Sequence, residues 1–230
     1  MQEFFPFLEV ESKLQVTFKK KSLLMQAFVH RSFWNENQDR IDTHNERLEF
    51  LGDSVLGVII ADYLFCGYPD LDEGSLSTIR SQLVDAPACA TYVQQLGIGK
   101  FLLLGKGEQL NKGKGRESIL ADLFEAVMGA IYLDKGLEKA REFFFSHFKT
   151  VVDQMISAPH RNWKAELQDF TQKYYQQVPI YEVLEESGPA HHKRFRVGVW
   201  INNKKVGEGE GSSKKEAQTE AAKAALQNIE

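Results

Sequence analysis

The sequence predicts a two-domain protein, in which an all-α N-terminal domain is followed by a smaller α+β domain of α-β-β-β-α order. Up to about residue 150, apolar residues recur at intervals of three and four, which is the period of amphipathic helices. From Asn162 the pattern changes to one helical segment, three alternating segments and an Ala-rich helix. We predict domain boundaries of 1–156 and 162–230, with a linker at 157–161.

The first domain is divided into helices by turn-forming residues. Breaks are predicted at Gly67-Tyr68-Pro69, at Asp85-Ala86-Pro87 and through the Gly/Lys stretch 105–115. No internal repeat or low-complexity tract interrupts this pattern. The segments between the breaks are therefore expected to pack as a helical bundle.

The second domain begins with an amphipathic helix at Trp163–Tyr175 and ends with a helix from about Lys214 to Asn228. The spacing of Ser213 and Glu216 is that of a capping box, which marks the start of the last helix. Asn202 and Asn203 tolerate positive φ and favour a tight hairpin turn. Three strands are predicted between the helices: Ile180–Glu186, Arg194–Ile201 and Lys204–Glu210.

The overall charge argues neither for nor against a nucleic-acid partner. The net charge is −4, but residues 162–230 carry ten basic and ten acidic residues, so the excess negative charge belongs to the first domain. Any affinity for nucleic acid must therefore come from local clusters of cations rather than from long-range attraction.

Neither a membrane nor a secretory role is indicated. The longest apolar run, Val55 to Phe65, is interrupted by Asp62 and is too short to span a bilayer, and the N-terminus lacks the features of a signal peptide. Cys66 and Cys89 match no zinc-ligand spacing and are expected to be reduced thiols. These features predict a cytoplasmic protein.

Two groups of acids carry the chemical information. Glu46, Glu49 and Asp53 are spaced three and four apart, so they share one face of a helix, and the row continues into apolar residues. Asp122 and Glu125 form a second pair within a largely apolar helix. Stacked like charges repel each other, and a divalent cation held by oxygen ligands would remove that repulsion. The alternative is that these are solvated acids at the edges of core helices.

The run HNERLEFLGDS at 44–54 resembles the signature of the bacterial ribonuclease III family, and RESILADLFEAVMGAIYLDKG at 116–136 resembles its second acidic helix. AFVHRSFWNEN at 27–37 and YPDLDEGSLSTIRSQLV at 68–84 extend the similarity over nearly the whole first domain. The resemblance implies a magnesium-dependent endonuclease that cleaves double-stranded RNA, with Mn²⁺ able to substitute. It further implies 5′-phosphate and 3′-hydroxyl ends, and a role in processing ribosomal RNA precursors and messenger RNA.

Carried over by position, the resemblance assigns the metal-binding acids to Glu49, Asp53, Asp122 and Glu125, of which Asp53 and Glu125 would be catalytic. Glu46 and Glu73 would be supporting acids in the cleavage groove. The family is homodimeric, and Phe50 stands where an aromatic residue contributes to the subunit contact. An ordinary core position is the alternative for Phe50.

Two further features invite a functional interpretation. His30 and His44 lack a paired nucleophile or metal-ligand spacing, so we expect structural roles for both. Gly105-Lys106-Gly107-Glu108 lacks the spacing of a phosphate-binding loop, and we assign no nucleotide cofactor.

Cations in the second domain gather around its hairpins and at the start of its last helix. Lys214 and Lys215 oppose the helix dipole there, which favours a bound anion, although solvated lysines are the alternative. Residues 162–230 resemble a double-stranded RNA-binding domain, and GEGEGSSKKEAQTEAAKAAL at 207–226 is close to its characteristic ending. By that resemblance Lys214 and Lys215 would meet phosphates. Three other residues would reach minor grooves: Gln168, Gln172 and His191. Ala165 departs from the polar residue expected in the first helix, which puts part of the minor-groove contact in doubt.

Two other functions fit parts of this pattern. A protein of the same architecture could bind or shield double-stranded RNA without cutting it, but the intact acids argue against that. A helical phosphohydrolase acting on small phosphoesters would explain the acids but not the second domain.

Overall fold

The computed structural model describes residues 5–110, 115–157, 163–188 and 193–229. The chain separates into two compact units, the first ending at residue 158 and the second beginning at residue 159. Each unit has its own hydrophobic core.

Within its described residues, the regular secondary structure of the N-terminal unit is helical, apart from one isolated bridge between Val29 and Leu103. Its helices are α1 (Phe7–Leu14), α2 (Lys21–Ala27), α3 (Arg31–Glu36), α4 (Glu46–Gly67), α5 (Glu73–Val84), α6 (Ala86–Leu96), α7 (Lys106–Leu110), α8 (Arg116–Lys135) and α9 (Leu137–Ser157), with a 3-10 turn at Gly99–Phe101. The all-α prediction for this region is confirmed.

Helix α8 lies at the centre of this unit. Almost every residue from Ala121 to Ile131 is buried, and α2, α4, α6 and α9 all pack against it. A helix that is apolar on all sides in this way is expected to be a core helix. The acids Asp122 and Glu125 are therefore carried by the most buried helix of the unit.

The helix breaks follow local chemistry. Helix α4 ends at Gly67, as predicted, and Asp85 caps α6 by accepting a hydrogen bond from the Ala88 backbone nitrogen at 2.9 Å. The stretch 105–115, predicted as a break, instead contains the short helix α7. The Glu36 carboxylate accepts a hydrogen bond from the Lys106 backbone nitrogen at 2.9 Å, so a tertiary contact stabilises the start of α7.

Helix α4 extends beyond the apolar run Val55 to Phe65 at both ends. An 18-residue stretch of this 22-residue helix has a mean hydropathy of 1.6, so by length and composition alone the helix could cross a membrane. One face of the helix, including Leu56, Ile59 and Ile60, is buried in the core of the N-terminal unit. On its other side Phe50, Val58 and Phe65 are exposed, and only 33% of that stretch is buried within the chain.

The C-terminal unit has the predicted α-β-β-β-α order. Its elements are α10 (Trp163–Tyr175), β1 (Ile180–Ser187), β2 (Arg194–Ile201), β3 (Lys204–Gly211) and α11 (Lys214–Ile229), and the strands form an antiparallel sheet in the order β1-β2-β3. Asn202 and Asn203 have φ values of 52° and 60°, as a tight hairpin between β2 and β3 requires.

Helix α11 packs directly on β3 because that strand alternates glycine with charged residues. A Cβ atom at Gly209 would lie 2.2 Å from the Ala221 backbone nitrogen, so no larger residue fits. Ser213 caps α11 by accepting a hydrogen bond from the Glu216 backbone nitrogen at 3.1 Å. The Glu216 carboxylate accepts its reciprocal bond from Ser212 rather than from Ser213, at 2.7 Å from the backbone nitrogen. The capping box is thus shifted by one residue on that side.

Candidate active site

The acids of α4 and α8 meet where the two helices cross. A Cβ atom at Gly52 would lie 1.7 Å from the Glu125 carbonyl oxygen, and one at Gly129 would lie 2.3 Å from the Leu48 carbonyl oxygen. The backbones are therefore in direct contact at this crossing. Because Glu49 and Asp53 flank Gly52 on α4, they are held beside Glu125 on α8.

Three carboxylates converge at the crossing. Glu49, Asp122 and Glu125 each place one oxygen so that the three oxygens lie within 4.8 Å of one another, and all three residues are half-buried. The structure thus brings together three of the four acids assigned to metal binding by resemblance.

The charges of this cluster are poorly compensated. Burial, followed by the charges of Asp53 and neighbouring acids, raises the pKa of Glu125 to about 8. Burial and the charges of Asp122, Glu46 and Asp53 raise the pKa of Glu49 to about 7. Burial also raises the pKa of Asp122. Each shift means that the ionised form is disfavoured by desolvation and by like charge.

Asp53 and Glu46 lie beside this cluster rather than within it. Both side chains are exposed, and the charges of both act on Glu49. Glu46 is also 3.4 Å from the Arg31 guanidinium, measured between Oε1 and Nη1. The two acids therefore remain close enough to contribute to a cation site without being part of the three-oxygen group.

Glu73 is placed differently. It is exposed at the start of α5, where its carboxylate accepts a hydrogen bond from the Ser77 hydroxyl at 3.0 Å. Among the described residues, Glu73 is not one of the charges that shift the pKa of Glu49, Asp122 or Glu125. It lines a cleft between α4 and α5 together with Asp62 and Phe65. A single copy of the chain does not bring Glu73 to the cluster.

The carboxylate cluster fits a divalent cation. Its ligand set contains only oxygen, which suits magnesium or manganese rather than a thiophilic metal. A cation would also offset the repulsion that raises the three pKa values. This fit rests on the donor atoms and on their mutual electrostatics.

Comparison with known protein families decides the identity of the chain. The family described as Ribonuclease-III-like matches residues 20–151, and the Double-stranded RNA binding motif matches residues 163–229. The chain belongs to the ribonuclease III family. Both of the resemblances noted in the sequence are thereby confirmed.

Curated relatives extend this similarity over nearly the whole chain. Ribonuclease 3 of Protochlamydia amoebophila is 57% identical over 96% of this chain and 91% of its own length. Ribonuclease 3 of Dehalococcoides mccartyi is 44% identical over 96% of this chain and 94% of its own length. The solved nuclease domain of ribonuclease III from Campylobacter jejuni has a TM-score of 0.56 and 38% identity, and covers 62% of this chain and 95% of that domain. This ribonuclease III is a double-strand-specific endoribonuclease.

In the RNA-binding unit of this ribonuclease III, the predicted contact residues that lie within the described part of the chain are exposed at the surface. Gln168 and Gln172 are exposed one turn apart on α10, and each directly follows a buried residue, Leu167 or Thr171. Ala165 is exposed one turn before Gln168. His191 lies outside the described residues.

Lys214 and Lys215 are exposed in the first turn of α11, and neither forms an ion pair with an acid among the described residues. The Lys214 ammonium lies 5.7 Å from the centre of the Phe195 ring. In contrast, Arg196 on β2 is paired with Glu185 at 2.5 Å and with Glu208 at 3.3 Å. The two lysines are therefore available to an anion, whereas Arg196 is already neutralised.

Sequence reasoning missed the residues that create the crossing, Gly52 and Gly129. A signal was present, because a glycine within a helix costs about 1 kcal/mol relative to alanine and calls for a packing reason. Gly52 lies between Glu49 and Asp53, and Gly129 lies one turn after Glu125. Glycines placed beside acids on two helices indicate a close approach of those helices.

Proposed function

We propose that this enzyme hydrolyses double-stranded RNA with magnesium at the cluster of Glu49, Asp122 and Glu125, leaving 5′-phosphate and 3′-hydroxyl ends. One observation carries the proposal: three half-buried carboxylates share a volume in which their oxygens lie within 4.8 Å of one another. Buried acids of like charge are unfavourable without a cation. Manganese has similar ligand preferences and is expected to substitute.

In this scheme Glu49, Asp122 and Glu125 hold the ion between α4 and α8. Bound magnesium supplies Lewis-acid chemistry, polarising a phosphoryl oxygen and offsetting the charge that develops on it. Asp53 and Glu46, just outside the three-oxygen group, are the acids we expect to keep the surrounding waters in place. Because water attacks phosphorus and the 3′ oxygen leaves, the phosphate remains on the 5′ end of the product.

The substrate follows from the second unit. A double-stranded RNA-binding domain recognises A-form shape and backbone rather than base sequence. We therefore propose stem regions of structured transcripts as substrates, including ribosomal RNA precursors and messenger RNA. The described cysteines Cys66 and Cys89 are both free thiols, which agrees with a reducing cytoplasmic location for this work.

We also propose that the enzyme acts as a homodimer through the exposed face of α4. Phe50, Val58 and Phe65 are 79%, 53% and 73% exposed and lie on one side of this helix. Apolar surface of this kind indicates an interface. The solved Campylobacter jejuni nuclease domain is described as having a region involved in dimer formation. A second copy of the chain is therefore the partner that we propose for this face.

Replacement of one cluster acid tests the metal site. Glu125→Gln preserves the shape of the side chain but removes the charge that helps to hold the cation. Cleavage of a long duplex RNA in magnesium is expected to fall roughly hundredfold or more. Duplex binding, measured in the absence of metal, is expected to be unchanged because the RNA-binding unit is separate. Asp53→Asn should lower cleavage to a similar extent.

The matched control is Glu138→Gln, the same change at an exposed acid on α9 whose carboxylate lies 3.9 Å from the Arg141 guanidinium. It should cleave at the wild-type rate. If Glu125→Gln also cleaves at that rate, the metal site has been misassigned. If the wild-type protein binds a perfect duplex in magnesium but leaves it intact, the proposed reaction is wrong.

A further inference from the structure

His30 has one ring nitrogen engaged and one free. Its Nδ1 accepts a hydrogen bond from the Ser32 backbone nitrogen at 3.1 Å, which caps α3, and lies 2.7 Å from the Ser32 hydroxyl. A ring nitrogen that accepts from a backbone N–H carries no proton, so in the neutral ring the proton is on Nε2. Burial lowers the pKa of His30, which favours this neutral form.

The residues on either side of His30 are joined to the acid-bearing helix α4. The Val29 carbonyl oxygen accepts a hydrogen bond from the Asn45 backbone nitrogen at 2.9 Å, so the chain around His30 is joined to the start of α4. Arg31, the next residue, reaches Glu46 at 3.4 Å. The charges of Glu108, Asp122 and Glu46 act on the His30 ring, and His30 in turn acts on Asp122.

The Nε2–H group of His30 has no acceptor within the described part of the chain. It forms no hydrogen bond there, and it is not one of the fully buried polar atoms that lack a partner. The donor is therefore at least partly accessible to solvent.

We propose that the Nε2–H group of His30 donates a hydrogen bond to a phosphate oxygen of the RNA strand that enters the carboxylate cluster. The inference rests on the proposed function, because it takes the cluster as the place of cleavage. His30 would then be a substrate-binding residue as well as a helix cap. A neutral donor suits this position because it attracts phosphate without adding a second cation beside the metal.

The structure offers one competing role, in which His30 orients the Asp122 carboxylate. Residues that hold a metal ligand in place normally form a hydrogen bond to it. The described hydrogen bonds include none between His30 and Asp122, whereas they do include the cap to Ser32. The free donor is therefore better explained by a ligand from solution.

Two substitutions test the roles of the two ring nitrogens independently. His30→Asn keeps a side-chain acceptor suited to a helix N-cap but has no donor at the Nε2 position. We expect its thermal midpoint to be close to that of the wild type and its single-turnover cleavage rate to fall about ten- to hundredfold, as for loss of one hydrogen bond to a charged group. His30→Gln extends a donor towards the Nε2 position but loses the cap. It should cleave faster than His30→Asn despite a lower thermal midpoint.

The control is His147→Asn, which makes the same change at a half-buried histidine of α9, and it should cleave as the wild type does. The magnesium concentration needed for half-maximal cleavage should be the same for His30→Asn and the wild type. If that concentration rises severalfold and His30→Gln does not restore cleavage, His30 positions Asp122 and the inference is overturned. Normal cleavage by His30→Asn overturns it as well.

A second measurement uses the wild-type enzyme and so does not depend on how the variants fold. A series of duplexes is prepared, each with a single phosphorothioate at a different position around the cut. We expect one position whose substitution slows cleavage about tenfold and is not restored by manganese, because sulfur accepts hydrogen bonds poorly. If manganese restores every affected position, all the contacts are to metal and the inference fails. The proposed function itself is tested separately, since it fails if Glu125→Gln remains active or if the wild-type enzyme leaves a bound duplex intact.

Discussion

The crossing of α4 and α8 can be tested by adding a single methyl group. In Gly52→Ala the new Cβ atom would lie 1.7 Å from the Glu125 carbonyl oxygen, whereas real Cβ atoms essentially never approach closer than 3.0 Å. The atom it meets is backbone, so no side chain can rotate away. The helices must therefore move apart at the point where their acids meet.

The expected change in the stability of Gly52→Ala is the balance of two opposing effects. Overpacking of a tight core costs about 1–3 kcal/mol or more, and the alanine recovers about 1 kcal/mol of helix propensity. At about 2–4 °C per kcal/mol for a protein of this size, the thermal midpoint of the N-terminal unit should fall by several degrees. Cleavage should fall further, on the order of 100-fold, because a displacement of about 1 Å at a reacting centre has that effect.

The same helix provides the control. A Cβ atom at Gly67, at the end of α4 and away from the proposed dimer face, would meet nothing within 4 Å, so Gly67→Ala should leave the midpoint unchanged or raise it slightly through helix propensity. Both variants would be followed by thermal denaturation and by cleavage at 25 °C, well below their midpoints. If Gly52→Ala is as stable and as active as Gly67→Ala, the close crossing does not position the acids.

Three further predictions address pH, RNA affinity and assembly. In the metal-free protein the pKa is about 7 for Glu49 and about 8 for Glu125, against an ordinary value of 4.5. Between pH 4.5 and these raised values, the folded state therefore binds more protons than the unfolded state. In the presence of a chelator, the thermal midpoint should therefore fall as the pH rises from about 5 to about 8. Adding magnesium at pH 8 should restore the midpoint. A midpoint that rises with pH in the chelator would contradict the proposed electrostatics of the cluster. Changing Lys214 and Lys215 together to alanine should weaken duplex binding and flatten its salt dependence by up to about two units, measured by salt-titrated binding, and an unchanged slope would remove them from the phosphate contacts. Phe50→Asp should convert the protein to monomers in sedimentation, and a dimer that persists would place the interface elsewhere.

Local patterns were sufficient for the architecture and for the candidate acids. The change from helical to alternating periodicity near Asn162 separates the two units, because the two periods can be read from short windows of sequence. The Asn202-Asn203 turn was equally clear, since asparagine tolerates positive φ at little cost. The spacings within each acidic group also follow from a single helix.

Contacts between distant segments could not be read in this way. Glu49 and Glu125 belong to helices far apart in sequence, and only the packing at Gly52 shows which of their neighbours join the cluster. Asp53 has the correct helical spacing but is exposed beside the three-oxygen group, because a helix face is wider than the narrow crossing at its centre. Local periodicity reports which residues share a face, but not where a second helix crosses it.

The role of His30 shows the same division. Its residue type and position predicted a structural histidine, and the cap to Ser32 agrees with that interpretation. Its position beside Asp122 arises because the chain before α3 is hydrogen-bonded to the start of α4 through Val29 and Asn45. The sequence by itself determined the helices, the strands and the acids, since these depend on local propensity. Only the tertiary structure decided which acids meet and what lies beside them, because that depends on how closely two backbones can approach.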